Sequence, residues 1–154
     1  MATESPFLKD GGQCVLSTAS DFRNSAVTGS TLAGPQGSGQ FLAVTLSTTV
    51  DRTAQLPSTA GSTGLPIYGI CQNKPRGGEV IDVGIFGVMK CVAGASITRG
   101  NQLMASATSA GTLIQYSSAN SGGFTPVGLA LENAVVGQVF TAAINAVGAI
   151  AKST

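Results

Sequence analysis

Apolar and polar residues alternate with a period of two over much of the chain, which is typical of β-strands with one buried face. The longest alternating run covers residues 79–92. Its apolar positions fall on one face of a strand: Ile81, Val83, Ile85, Met89 and Cys91. Further strands are predicted at residues 41–47, 53–56, 65–71, 102–105, 111–116, 127–131 and 138–144. The chain is therefore predicted to be all-β.

Glycines and prolines divide this pattern. Gly84 and Gly87 lie inside the longest run and predict a bend or a bulge, which would let one long strand serve two sheets or turn the corner of a barrel. Residues 73–78, NKPRGG, predict a turn before that run, since Pro presets φ and Gly permits positive φ. For residues 145–154, both a last strand and a short helix stay open.

Residues 1–38 are predicted to form an extended N-terminal arm, followed by a β-rich domain over residues 39–154. The arm offers too little clustered apolar surface to offset its own ordering entropy, so we expect it to lie on a sister subunit or a larger surface. The candidate contact residues are its apolar side chains, Phe7, Leu8, Phe22 and Leu32. The alternative, that these side chains fold back on their own domain, stays open.

An internal repeat links residues 66–85 to residues 126–144. The first copy reads PIYGIC and then GEV, and the second reads PVGLAL and then GQV. In both copies a Gly is followed nine residues later by another Gly, then by an acid or amide, by Val, and five residues after that by Ile. The offset from Gly69 to Gly128 recurs from Gly78 to Gly137, and each copy predicts a β-hairpin. The length of 154 residues suits one domain, or two very small ones on the same plan, and we expect one core.

The charge composition narrows the classes of partner. Charged residues make up 10% of the chain and the formal net charge is +1, so there is no basic field to hold nucleic acid or an anionic membrane. Trp is absent and Phe and Tyr are few, so few aromatic side chains are available to stack on bases or sugars. So little charge on a small β-rich protein indicates that much of its surface is covered in the working state. We expect an assembly.

Two segments bear on membrane insertion and export. The apolar tract at residues 127–151 is long enough to span a bilayer, but its polar residues and three glycines favour strands with a turn. The start, MATESPFLKDGG, has neither the basic region nor the apolar run of a signal peptide. We expect synthesis in a cytosol and no membrane partner.

The residues that carry most enzyme chemistry are missing or scattered. The chain has no His, which excludes His-based acid–base catalysis and the usual zinc and copper sites. Its seven acids form no calcium-loop motif, and the glycine-rich residues 34–39 lack the Lys-Ser/Thr of a phosphate-binding loop. Cys14, Cys71 and Cys91 have no CxxC spacing and are predicted to be buried free thiols. We predict no enzyme activity, no cofactor, no metal and no small-molecule substrate.

The second half of the chain resembles small phage capsid decoration proteins, also called cement or head-stabilising proteins. The resemblance covers about residues 79–145 and rests on ASITRGNQL at 95–103, GTLI at 111–114, PVGLALENA at 126–134 and GQV at 137–139. It implies a compact antiparallel β-sandwich or a barrel-like β-tulip domain. It also implies a homotrimer that binds the major capsid protein on the capsid exterior, with an N-terminal arm that contacts the capsid lattice.

The function predicted from the sequence is therefore adhesion to the outside of a phage head, by a virion protein made in the host cytoplasm. The main alternative is a receptor-binding or fibre-type β module of a virion, although such modules usually show more exposed aromatic residues. A shell-forming subunit would need a larger and more helical chain. An enzyme is the least favoured interpretation.

Overall fold

The structure is a computed structural model, which describes residues 13–18, 39–47, 51–57, 67–74, 80–106, 108–117 and 126–146, and only the backbone of 13–18. The described residues form ten strands and confirm the all-β prediction. The strands are β1 (Gln13–Thr18), β2 (Ala43–Leu46), β3 (Thr53–Gln55), β4 (Gly69–Cys71), β5 (Val80–Gly84), β6 (Phe86–Val92), β7 (Gln102–Ala105), β8 (Leu113–Gln115), β9 (Gly128–Ala130) and β10 (Val139–Asn145).

The ten strands form two sheets of five. The first is a closed barrel in the order β1-β3-β2-β4-β5, in which β1 also pairs with β5. The second has the order β6-β10-β9-β7-β8. Its two outer strands approach each other through a parallel bridge between Ala93, next to β6, and Leu113 of β8. We call these the first unit and the second unit.

The bend predicted at the two glycines joins the units. The long alternating run is divided at Ile85 into β5 of the first unit and β6 of the second. Gly87 has a φ of 116°, a backbone conformation that side chains with a Cβ rarely adopt. The apolar positions of the run are inward on both sides of the bend, with Ile81, Val83 and Cys91 fully buried. The long alternating run thus contributes one strand to each of the two sheets, as predicted.

The two units share one topology and one register. Val44 pairs with Gly69 in the first unit, and Leu103 pairs with Gly128 in the second. The distance along the chain from Val44 to Leu103 equals that from Gly69 to Gly128, so the two pairs are equivalent. In the first unit Thr18 pairs with Ala54 in parallel. The equivalent contact in the second unit is the parallel bridge between Ala93 and Leu113. The repeat recognised in one hairpin therefore extends through all five strands, with β1 to β5 equivalent to β6 to β10 in chain order.

The hairpin glycines show why both units keep Gly at this point of the repeat. A Cβ on Gly69 would collide with the carbonyl oxygen of Gly84, and a Cβ on Gly128 would collide with that of Ala143. Gly84 and Ala143 are themselves equivalent positions of the repeat. Both hairpins therefore require Gly because the neighbouring strand approaches too closely for any side chain.

Each unit has its own inward apolar cluster, which differs from the single core that we expected. The first cluster contains Val44, Ala54, Cys71, Ile81 and Val83. The equivalent inward positions of the second unit belong to a larger cluster: Leu103, Leu113, Ala130, Phe140 and Ala142. This larger cluster also contains Ala43, Ile67 and Ile70 of the first unit, so the units pack on each other through apolar side chains.

Residues 13–18, within the range predicted as an arm, form strand β1. β1 pairs with β5 over five residues and with β3 over two. No strand was predicted there from the sequence. The boundary between arm and domain remains a prediction, and residues 1–12 and 19–38 lie outside the described residues.

Candidate interaction surface

The outer face of the second unit carries exposed apolar side chains on neighbouring strands. Cross-strand pairing sets four residues side by side across four strands: Val88, Ala143, Leu129 and Gln102. We call them the outer row. Residues that pair directly across a sheet point to the same face, so these side chains form one continuous surface. Val88 is 68% exposed and Leu129 is 41% exposed.

A shallow groove follows part of this face. Its lining residues are Gln102, Pro126, Gly128, Leu129, Ala143 and Asn145. None of them is charged, so the groove suits an apolar or neutral partner better than an ionic one. Phe86, also exposed, lies opposite Asn145 at the end of the sheet and extends the apolar surface.

β6 forms one side of this surface. Within the described parts of the chain, its ladder partner is β10 alone. Further along β6 the edge is covered by the first unit, because the Val92 N–H donates to the carbonyl of Phe41 and Lys90 lies 5.8 Å from the centre of the Phe41 ring. Phe86 and Val88, by contrast, are the exposed apolar part of the strand.

A second exposed apolar feature is the turn between β9 and β10, where Val135 and Val136 project outward. The turn is well anchored. A carboxylate oxygen of Glu132 accepts a hydrogen bond from the Thr141 N–H, and the side-chain oxygen of Asn133 accepts one of 2.8 Å from the Arg99 N–H. Ala134 is buried and bridges to Ile97. The two valines are thus held on a fixed support.

The motifs behind the family resemblance prove to be structural. Ile97 is buried, Gly100 and Gly137 have positive φ, and Gly128 makes a close strand approach. Glu132 and Asn133 satisfy backbone N–H groups of neighbouring segments. These motifs preserve the shape of the second unit, and the exposed residues lie between them.

The two cysteines with described side chains are unsuited to nucleophilic chemistry, and the side chain of Cys14 lies outside the described part of the structure. Cys71 and Cys91 are buried free thiols, as predicted. Burial raises the pKa of the Cys71 thiol from 9.0 to about 12 and raises that of Cys91 even further. Both thiols are protonated at neutral pH, and a thiol is a poor nucleophile compared with a thiolate. Lys90, which precedes Cys91, is exposed on the opposite face, so it does not activate the thiol.

The described residues contain no group of three or more His, Cys, Asp or Glu side chains close enough to hold a metal ion. Within the same ranges, no helical segment has the length and hydropathy needed to cross a bilayer.

Comparison with known proteins identifies the fold. The sequence matches no protein family profile and no curated protein. The structure is similar to the head fiber gp8.5 N base of bacteriophage phi29, with a TM-score of 0.51 and 20% identity, over 75% of this chain and 87% of that chain. The chain shares its fold with a phage head-fibre base. The capsid of Myoviridae phage XM1 also matches, with a TM-score of 0.49 and 18% identity, over 70% of this chain and 77% of that one.

At the level of the fold, the phi29 match agrees with the resemblance drawn from the C-terminal motifs. The predicted contact residues Phe7, Leu8, Phe22 and Leu32 lie outside the described residues, so their role stays a prediction. Neither the outer row nor the Val135–Val136 turn was predicted from the sequence. For Val88 a signal existed, because it shares the face of Lys90 in an alternating strand, where an exposed Val is unexpected.

Proposed function

We propose that this protein is a non-enzymatic structural component of a phage particle, which binds the outer surface of the head and stabilises it by adhesion. The observation that carries the proposal is the shared fold with the phi29 head-fibre base, found independently of the sequence motifs that resemble decoration proteins. Fold alone does not define function, so the proposal also depends on the character of the surface.

That surface supports adhesion. Exposed apolar side chains are concentrated on the outer face of the second unit and on its rigid β9–β10 turn, which is where a partner would remove them from water. Adhesion requires buried area on several partners rather than a reacting group, and symmetry multiplies a modest interface into avidity. The low charge of the chain fits a surface that is largely covered on the particle.

The finer features of the proposal are the major capsid protein as partner, self-association as a homotrimer, and a location on the capsid exterior. The proposed capsid or subunit contacts include Phe7, Leu8, Phe22 and Leu32. No nucleic acid, membrane, cofactor or small-molecule substrate is part of the proposal.

The experiment is co-sedimentation of the purified chain with phage heads that lack it. Saturable binding, with heads that then resist heat or low salt better, is the expected result. Heads that sediment without the protein at every concentration would overturn the proposal. A chain that ignores heads but binds host cells or glycans would replace it with the receptor-binding function.

A fibre-type role is the second candidate, and the similarity to the base of the phi29 head fibre favours it. In that case this fold would anchor a distal module to the head. Both candidates require head binding, but only the fibre role requires a further domain joined to this one. Electron microscopy of purified particles separates the two, since a fibre projects away from the head whereas a decoration protein lies against its surface.

A further inference from the structure

The two units of the repeat differ in one respect: the same outer face is covered in the first unit and open in the second. In the first unit, Ala43, Ile70 and Gly84 lie side by side across β2, β4 and β5. Their equivalents, at the constant offset of the repeat, are Gln102, Leu129 and Ala143 of the outer row. The two sets therefore occupy the same place on the same fold.

Their environments are opposite. Ala43 and Ile70 are fully buried and Gly84 is buried, whereas Leu129 is 41% exposed and Gln102 is exposed. The covering residues of the first set belong to the second unit. The Met89 thioether lies so close to Gly84 that a Cβ there would touch it, and Ala43 and Ile70 share an apolar cluster with Met89 and Cys91. The Ala43 N–H also donates to the Gly111 carbonyl of the second unit, at 2.6 Å.

The chain thus already contains one example of this face covered by another unit of the same fold. We propose that the outer row, with Leu129 at its centre, is the surface on which a second copy of this chain docks. This deepens the self-association proposed above by naming the surface that carries it, and it rests on that proposed function. The occupant is a second copy because, within this chain, the equivalent face is covered by a unit of the same fold, and the open groove carries no charge to select an ionic partner.

The contact inside the chain joins two different surfaces, the outer face of one unit and the apolar cluster of the next. A contact of this kind between chains is heterologous, and heterologous contacts close into rings when the rotation permits. A homotrimer is such a ring. An isologous dimer through the same face would instead place two Leu129 side chains against each other.

The test is sedimentation velocity of the full chain over a range of concentrations, with variants that place a charge on the face. Leu129→Glu and Val88→Glu both put a carboxylate on the outer row, where it would be desolvated in the assembly. Val80→Glu is the matched control, because Val80 is 58% exposed on β5 of the first unit and lies off the outer row. Circular dichroism melting curves check that each variant folds.

We expect the wild-type chain and Val80→Glu to sediment as the same oligomer, and both outer-row variants to shift to the 15.3 kDa monomer with an unchanged fold. If the outer-row variants keep the wild-type mass, the surface is wrongly assigned although self-association stands. If the wild-type chain is a monomer at all concentrations, the docking inference fails. Head binding is measured separately by co-sedimentation, so the adhesion proposal is tested independently of both results.

Discussion

Arg52 and Gly111 hold the same position in the two units, and both have positive φ, 52° and 76° respectively. The same relation joins Phe41, with a φ of 65°, to Gly100, with a φ of 87°. In both cases the second unit uses Gly and the first unit uses a residue with a side chain. The backbone shape is thus retained more strictly than the residue type, and the first unit carries the conformational strain.

The first prediction is that Arg52→Gly stabilises the protein, because Gly adopts positive φ without a clash of its Cβ. The free energy of unfolding should rise by about 0.5–1 kcal/mol, since relief of the strain is partly offset by the greater backbone freedom of Gly in the unfolded chain. Urea unfolding followed by circular dichroism measures the change.

The reverse change provides the comparison. Gly111→Ala adds a Cβ about 2.8 Å from the Cβ of Leu42 at a positive φ, so it should destabilise the fold. A destabilised Arg52→Gly variant, or a neutral Gly111→Ala variant, would contradict the assignment of strain to the positive φ at this position.

The second prediction concerns stability at alkaline pH. The pKa of the Cys71 thiol is about 12 in the folded protein and 9.0 when exposed, so above pH 9 the unfolded chain loses a proton that the folded chain keeps. Proton release by the unfolded state favours unfolding, so the free energy of unfolding falls as the pH rises from 9 towards 12. Each such thiol contributes at most about 1.4 kcal/mol per pH unit.

The test compares urea unfolding at pH 8 and pH 10.5. Cys71→Ala should lose less stability than the wild-type chain between the two pH values, because one titrating group is gone. Val83→Ala is the control, since Val83 pairs with Cys71 across the strands and does not titrate. Equal losses in wild type and Cys71→Ala would contradict the assignment of the effect to this thiol.

The third prediction separates the N-terminal segment from strand β1. Deletion of residues 1–12 removes Phe7 and Leu8 but leaves all ten strands. Deletion of residues 1–38 also removes β1, which closes the barrel of the first unit by pairing with β3 and β5. The shorter deletion should retain the wild-type melting temperature. The longer one should remove a large part of the roughly 5–15 kcal/mol that holds a typical domain together.

Thermal melts of the two deletions decide this prediction, and similar melting of both would show that β1 contributes little. The shorter deletion then serves the function test. If Phe7 and Leu8 contact the capsid, it should weaken co-sedimentation with heads without a loss of fold.

The alternation of apolar and polar residues predicted nine of the strands, and Gly84 and Gly87 predicted the division of the longest run into two. β1 was missed, since its surroundings read as a Ser, Thr and Gly mixture and its partners, β3 and β5, are far away in sequence. Only one hairpin of the repeat was recognised, because outside it the two units share their strand register but not their residue types: Val44 corresponds to Leu103, and Arg52 to Gly111.

The candidate surface was harder to predict than the fold. Leu129 and Ile70 look alike in sequence, and whether each is exposed depends on which unit packs against the other. That packing is a tertiary property with no local signal. The arm residues Phe7, Leu8, Phe22 and Leu32 were chosen as apolar side chains in a polar segment, and they remain predictions.

The central claim is that this protein sits on the outside of a phage head. Electron cryomicroscopy of heads that lack the protein, before and after incubation with the purified chain, tests it most directly. We expect added density on the outer surface at symmetry-related positions, into which the two five-stranded units fit. Heads with no added density, or added density confined to the interior or the tail, would contradict it.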